Sequence, residues 1–347
     1  MNIGLVIQGP IVGGGLTGRT YGAGKTGAPK NSFSPFNALE DVLNNLKSAN
    51  KFTHIVVSTW ENQPTESLAN LVSTSTRFSL IHNQDPTPNP AIIRKPIAGI
   101  PFLHEANKVR MFFSTRMGVE ELIKNNVEYA VKIRTDQTLN LDLLYEEFES
   151  FLVDRKKKIF VPSLREKSPW VVSDFFFGGE VNFITNICKF MENTQQEFHD
   201  DLHKDFFFKT HFLTKGIYEN HRWGDFLINT NSDPISPNTD KIVKESISEI
   251  WAPGSESLYK SIVWRGEPIK YIQEDSFFGD SIREFNFNYK LGGRNDNTNY
   301  ENVIRNAFGN KPFSILIWKY FIFLFARKVR HTRSRFSGFR DKFGLRF

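Results

Sequence analysis

Four short apolar runs, IGLVI (3–7), HIVVST (54–59), FSLIHN (78–83) and YAVKIR (129–134), punctuate the first 134 residues, and a segment with helical periodicity separates each from the next. This alternation limits the fold more than any other feature. A strand that is apolar at nearly every position has to be covered on both faces, and a parallel sheet with crossover helices does so. The first such helix is predicted over SPFNALEDVLNNLKSAN (34–50). Ser34 can cap it, Pro35 suits its first turn, and Phe36, Leu39, Val42, Leu43 and Leu46 share one face. Further helices are predicted near 65–73 and 104–125. The fold class that follows is α/β, a Rossmann-like, mostly parallel sheet flanked by helices. Ligands bind such sheets beyond the carboxyl ends of the strands. That edge collects Gln8-Gly9-Pro10, Thr59-Trp60-Glu61, Asp85 and Arg134-Thr135-Asp136.

The second half is less regular. Strands are predicted near 158–162 and 171–177 and a helix at 180–192, and an acidic, aromatic segment at 195–214 leads into a mixed region. With no internal repeat or linker composition, one main domain is expected over 1–310, in halves 1–150 and 151–310, followed by an appendage at 311–347. The composition is globular, 39% hydrophobic and 24% charged, apart from its 34 phenylalanines. A lone cysteine, Cys188, leaves no intramolecular disulfide and fits a reducing compartment. The opening MNIGLVIQGP lacks the basic segment and apolar length expected of a signal peptide. The net charge of +6 belongs to the C-terminus: residues 327–347 carry eight Lys or Arg against one acid, Asp341, and the rest is close to neutral. Nucleic acid is therefore not an expected partner, since its binding needs basic residues across the domain.

Ala23-Gly24-Lys25-Thr26 looks like the end of a phosphate-binding P-loop, but the first glycine of that motif would fall at Arg19, and Gly27 and Pro29 oppose the helix that must follow. The Gly-rich stretch 12–30 is either a flap, with Arg19, Lys25 and Lys30 near a bound anion, or a surface loop. VKIRTDQ (131–137) says more. Arg134 and Asp136, two apart where an apolar strand stops, can face one ligand, and Asn140 can cap the next helix. An aspartate there can hold a divalent ion and an arginine a phosphate oxygen; the competing reading is a structural Arg–Asp pair. On the preceding helix Arg110, Ser114 and Gly118 form a stripe too polar for a core face and suited to packing near a polar ligand. In SDFFFGGE (173–180), Asp174 is either a general base or a turn cap, and Phe175–Phe177 offer rings for a sugar to pack on. Glu256 and Asp275 are rival bases. His199 and His203 have metal-ligand spacing, but their polar surroundings fit a solvated helix face.

Together, LVIQGPI (5–11), the NKVR…ST…G helix, VKIRTDQ and VVSDFFFGG (171–179) resemble the WavE lipopolysaccharide-synthesis family and, more broadly, the GT-A nucleotide-sugar glycosyltransferases. The resemblance implies a GT-A-like fold and transfer of a sugar from a nucleotide-sugar donor to a lipid-linked or lipopolysaccharide or capsule glycan acceptor. It implies that Gln8, Gly9, Pro10 and Asp85 line the nucleoside site and that Arg110 and Arg134 meet the diphosphate. Asp136 would hold a divalent cation, Mg²⁺ or Mn²⁺, and Asp174 would deprotonate the acceptor. Arg134-Thr135-Asp136 supplies one carboxylate where a full D-x-D has two. Two other readings stand: an alditol-phosphate or nucleotidyl transferase on the same sheet, and a non-catalytic membrane-bound adaptor of glycan assembly.

The tail PFSILIWKYFIFLFARKVRHTRSRF (312–336) places a mostly apolar run before a cationic one. It is too short to span a bilayer and suits an interfacial helix on an anionic membrane surface; the alternative is a helix docked on the main domain. The location expected is cytoplasmic, peripheral to the inner face of the cytoplasmic membrane.

Overall fold

The computed structural model describes residues 1–12, 35–48, 51–73, 75–86, 103–155, 158–165, 172–192, 202–216, 237–269 and 276–279. The main sheet and the site at its edge belong to one compact unit of residues 1–224 and 240–289. Residues 225–239 and 290–347 make a second unit, of which only the start of one helix is described.

The chain runs β1 (Ile3–Gln8), α1 (Pro35–Ser48), β2 (His54–Trp60), α2 (Glu66–Ser73), β3 (Phe78–Asn83), α3 (Leu103–Lys124), β4 (Tyr129–Arg134), β5 (Gln137–Thr138) and α4 (Leu141–Arg155). It continues through β6 (Ile159–Val161), β7 (Leu164–Arg165), β8 (Phe177–Glu180), α5 (Val181–Glu192), α6 (Leu202–Thr214), α7 (Pro237–Glu249), β9 (Trp251–Pro253) and α8 (Glu256–Lys260). The short strands β10 (Val263–Trp264), β11 (Glu267–Pro268) and β12 (Ser276–Phe277) follow. Seven strands form one sheet in the order β3-β2-β1-β4-β8-β6-β9. The first four are parallel, β8 runs antiparallel to both β4 and β6, and β9 is parallel to β6. The α/β class and the mostly parallel sheet are as expected, with one reversed strand near the middle.

The period-two alternation of side chains assigns the two faces. Ile3, Leu5 and Ile7 of β1 join Leu39, Val42, Leu43 and Leu46 of α1 and Leu144, Phe148 and Leu152 of α4 in one core. Gly4 and Val6 look the other way, toward α3, which lies so close that a Cβ on Gly118 would stand 2.5 Å from Val6 Cγ1. Helices α3 and α5 pack together on that side, joined by Arg116 and Glu192 in a bidentate pair at 2.7 and 3.0 Å. Asn140 caps α4 as expected, its Oδ1 accepting from the Leu143 amide at 3.0 Å.

Two expectations for the second half need correction. The strand expected at 171–177 is Phe177–Glu180 instead, so Asp174 lies in the segment ahead of it. Of the aromatic platform expected at 175–177, Phe176 and Phe177 are buried: Phe176 packs on Phe160, and Phe177 on Phe112 and Phe206. A strand enclosed in mid-sheet must hide both faces, and its aromatic residues are spent on the core. The segment 195–214 likewise carries α6, whose Phe206 and Phe207 pack around Trp251. The stretch 13–34, the expected cap Ser34, His199, Asp275 and the tail 311–347 lie outside the described residues. No helix among the described residues is long and apolar enough to cross a membrane.

Gly178 shows why β8 carries two glycines at its centre. A Cβ there would meet the Ala130 carbonyl oxygen at 2.8 Å and the Phe148 ring at 2.9 Å, one fixed by the sheet and the other by the core. Gly178→Ala is expected to lower unfolding stability by about 1–3 kcal/mol, seen as a lower urea midpoint at unchanged slope. An unchanged midpoint would mean that strand and helix yield there at no cost.

Candidate active site

Strand β1 ends in a turn that needs glycine. Gly9 has φ of 133°, and a Cβ there would sit 2.6 Å from Thr135 Oγ1. Thr135 in turn donates to the Pro10 carbonyl at 2.7 Å, so the ends of β1 and β4 are pinned together. The Gln8-Gly9-Pro10 turn is thereby brought against Thr135.

Just past this pin lies the densest polar constellation on the edge. Asp136 accepts from Arg134 through both oxygens, Nε to Oδ1 at 2.8 Å and Nη2 to Oδ2 at 3.0 Å. Its Oδ2 also accepts from Arg265 Nε at 3.1 Å and Trp264 Nε1 at 3.3 Å. Arg134 reaches Asp174 as well, Nη1 to Oδ2 at 2.9 Å. Burial pushes the Asp136 carboxyl up, but the Arg134 and Arg265 guanidiniums outweigh it and hold the group well below the usual carboxylate range. The carboxylate side chain is 5% exposed, against 21% for Arg134, 28% for Arg265 and 22% for Asp174.

Arg265 and Trp264 are the site residues that the sequence reading missed. They sit on the β10–β11 hairpin, whose β10 pairs with β5 directly after Asp136. The two loop residues, Arg265 and Gly266, have φ of 54° and 79°, as a type I′ turn demands. The Arg265 amide donates to the Asp136 carbonyl at 2.9 Å, fixing hairpin to strand. The available signal was the Arg-Gly pair between Val263-Trp264 and Glu267-Pro268, a two-residue hairpin spacing with glycine second.

Behind the cluster, Lys132 is fully buried. It shares the Arg134 side of β4, donates from Nζ to the Asp174 carbonyl at 2.6 Å, and lies 5.3 Å from the centre of the Phe177 ring. Burial pushes its pKa down to about 7, against the pull of Asp174, while Arg134 adds to the fall. Asp174 is thus held at two points, its carbonyl by Lys132 and its carboxylate by Arg134.

The other expected residues divide. Arg110 is bound to Asp85 by Nε at 2.9 Å and Nη2 at 2.5 Å, beyond β3. The pair joins α3 to the segment that follows β3. Ser114 donates to Gln8 Oε1 at 2.9 Å, so the stripe Arg110, Ser114 and Gly118 is the face by which α3 grips the sheet ends. Glu256 pairs with Lys260 at 2.6 Å on α8, apart from the cluster. Among the described residues, Thr59 Oγ1, both amide atoms of Gln137 and, on β9, Trp251 Nε1 are buried without a hydrogen-bond partner. Few buried polar groups in folded proteins lack a partner, and those that do call for an explanation.

The surroundings of Asp136 do not fit the divalent ion expected there. Its two oxygens already accept from two guanidiniums and an indole, and among the described residues no three His, Cys, Asp or Glu side chains converge to share an ion. Hard divalent cations want several oxygen ligands, and guanidiniums in the same shell repel them.

Against known proteins, a family model described as WavE lipopolysaccharide synthesis matches residues 3–178. No curated protein matches. Among solved structures, a 4-diphosphocytidyl-2C-methyl-D-erythritolsynthase from Anaerococcus prevotii is 12% identical, over 59% of this chain and 83% of that one, with a TM-score of 0.33. A cytidylyltransferase from Leptospira borgpetersenii is 11% identical, over 70% and 97%, with the same TM-score of 0.33. Likeness of that degree carries no argument about substrate or chemistry.

Lys132 gives the site a pH signature. An unfolded lysine titrates near about 10.4, so between about pH 7 and 10 the unfolded chain binds more protons and stability rises with pH, by at most about 1.4 kcal/mol per unit. Below the folded pKa both states are protonated and the contribution levels off. Lys132→Met removes it: the stability difference, variant minus wild type, is expected to be positive near pH 7 and to shrink toward pH 10. Urea midpoints of both proteins across that range test this, and parallel pH profiles would show that the lysine is not buried as a neutral amine.

Proposed function

The chain belongs to the WavE lipopolysaccharide synthesis family, and from that membership and the site geometry we propose that it is a GT-A-like glycosyltransferase using a nucleotide-sugar donor. The observation that carries the reading is the placement of Arg134 and Asp174, 2.9 Å apart, beyond the carboxyl end of β4. Glycosyl transfer needs a base for the acceptor hydroxyl and a neutraliser for the departing diphosphate, close together. In this reading the acceptor oxygen attacks the anomeric carbon, its proton passes to Asp174, and the bond to the diphosphate oxygen breaks with the new charge facing Arg134. Gln8, Gly9 and Pro10 line the nucleoside side of the pocket. Asp85 lines the same side, and Arg110, oriented by its pair with Asp85, faces the diphosphate together with Arg134. Phe175, edge-on to Trp264 at 5.7 Å between ring centres, offers the aromatic surface for the acceptor.

The acceptor in this proposal is a lipid-linked or lipopolysaccharide glycan. The basic, apolar tail at 311–347 would hold the enzyme on the inner face of the membrane that presents it. The same arginines would also serve attack at phosphorus, so transfer of an alditol-phosphate or nucleotidyl group is the second reading.

The test is to incubate the protein with a panel of nucleotide sugars and a detergent extract of lipid-linked glycans, and to weigh the product. A gain of one sugar without phosphorus supports glycosyl transfer; a gain that includes phosphorus moves the second reading to the front. Asp174→Asn is expected to cut turnover by about 100-fold or more while nucleotide affinity changes little, as for loss of a general base. Undiminished turnover in that variant would remove Asp174 from the chemistry.

A further inference from the structure

The charges at the end of β4 are arranged inside out for a metal site. Its deepest charged group is the carboxylate of Asp136, and both guanidiniums that bind it are several times more exposed. A ligand arriving from solvent therefore meets Arg134 and Arg265 before it meets Asp136. Both arginines are stiffened from below by one ring: the Arg265 guanidinium lies 4.6 Å and the Arg134 guanidinium 5.9 Å from the centre of Trp264. Trp264 is itself tied to Asp136 through Nε1. Guanidinium N–H groups bind phosphate oxygens, and a guanidinium already held by a ring and a carboxylate loses little freedom on binding.

The backbone at Arg265 points the same way. First place in a type I′ turn belongs by preference to asparagine, aspartate or glycine, and an arginine at φ of 54° is strained. Strain of this kind persists where the surrounding structure over-determines it, and here the amide bond to the Asp136 carbonyl and the pairing of β10 with β5 do so. The turn would form more readily with another residue, so the side chain is what the position supplies.

We propose that Arg265 and Arg134, anchored together on buried Asp136, form a two-guanidinium clamp that binds the diphosphate of the donor and neutralises it without a divalent ion. The clamp rests on the nucleotide-sugar reading above. Asp136 is then a positioning residue that orients both arginines, and Asp174, the more exposed carboxylate beside Arg134, is left to face the acceptor.

Calorimetry on the full-length protein tests this, with UDP, GDP, CDP and inorganic pyrophosphate titrated once in EDTA and once in MnCl2. The expected result is one nucleoside diphosphate that binds with the same affinity, within about twofold, in both buffers. Arg265→Asn keeps a residue that the turn prefers and removes the guanidinium. It is expected to weaken that binding by about 10- to 100-fold while the melting temperature stays within a few degrees. Arg265→Lys, which keeps the charge but not the fork, is expected to fall between the two and serves if the asparagine variant does not fold. Binding that requires Mn²⁺, or wild-type affinity in both Arg265 variants, overturns the clamp and leaves the nucleotide-sugar reading standing. If the wild type binds no nucleoside diphosphate in either buffer, that reading fails and the clamp with it.

Discussion

The carboxylate of Asp136 is nearly out of water, and much of the edge around it is arranged to make that tolerable. An unpaired charge at such depth would cost several kcal/mol, and removing one partner from a buried pair typically costs about 3–5 kcal/mol. Arg134 comes from two residues upstream, while Arg265 and Trp264 come from a hairpin nearly 130 residues later in the chain. One aspartate thus joins the parallel half of the sheet to the irregular second half. The hairpin is held there by a strand pairing and a backbone hydrogen bond as well as by charge, so its loop can keep a residue that the turn itself does not favour.

The alternation of β4 extends the same logic inward. Lys132 and Arg134 share one side of the strand, so the cation at the surface and the amine in the core both act on Asp174. Burial of the lysine against a phenylalanine ring favours its neutral form and lowers its pKa to about 7. The amine still donates to the Asp174 carbonyl, which a methyl group could not do. The carboxylate of Asp174 is therefore aimed by its own backbone, and its distance to Arg134 does not depend on their mutual attraction alone.

How far the sequence revealed this varies with the range of the interaction. The strands Ile3–Gln8, His54–Trp60, Phe78–Asn83 and Tyr129–Arg134 were legible because a doubly covered strand must be apolar throughout, and that pattern is local. So was the cap at Asn140. Strand β8 is displaced from its expected place because VVSDFFFGG is apolar on both sides of Ser173-Asp174, and either side can supply a strand. Only the Ala130 carbonyl and the Phe148 ring, contributed by other elements, select the part that can accept glycines. The stripe Arg110, Ser114 and Gly118, expected to be too polar for a core face and to pack near a ligand, is instead buried against the sheet, on Asp85, Gln8 and Val6. Arg265 was invisible for the opposite reason. Nothing near it in sequence is unusual except one glycine, and its role depends on a β-pairing between residues more than 120 apart.

The edge that emerges has two polar centres with different states of completion. At β3, Asp85 and Arg110 satisfy each other in a bidentate pair, and Gln8 is occupied by Ser114. Elsewhere the balance is incomplete: among the described residues, Thr59 on β2 and Gln137 on β5 are buried without a hydrogen-bond partner. A buried amide or hydroxyl left this way costs about 1–3 kcal/mol. A fold whose apolar strands are so well covered could have placed apolar side chains at both positions at less cost. Thr59, Gln137 and the more exposed guanidiniums of Arg134 and Arg265 lie along the same carboxyl edge. The completed pair at β3, together with the Thr135 pin, holds that part of the edge in place.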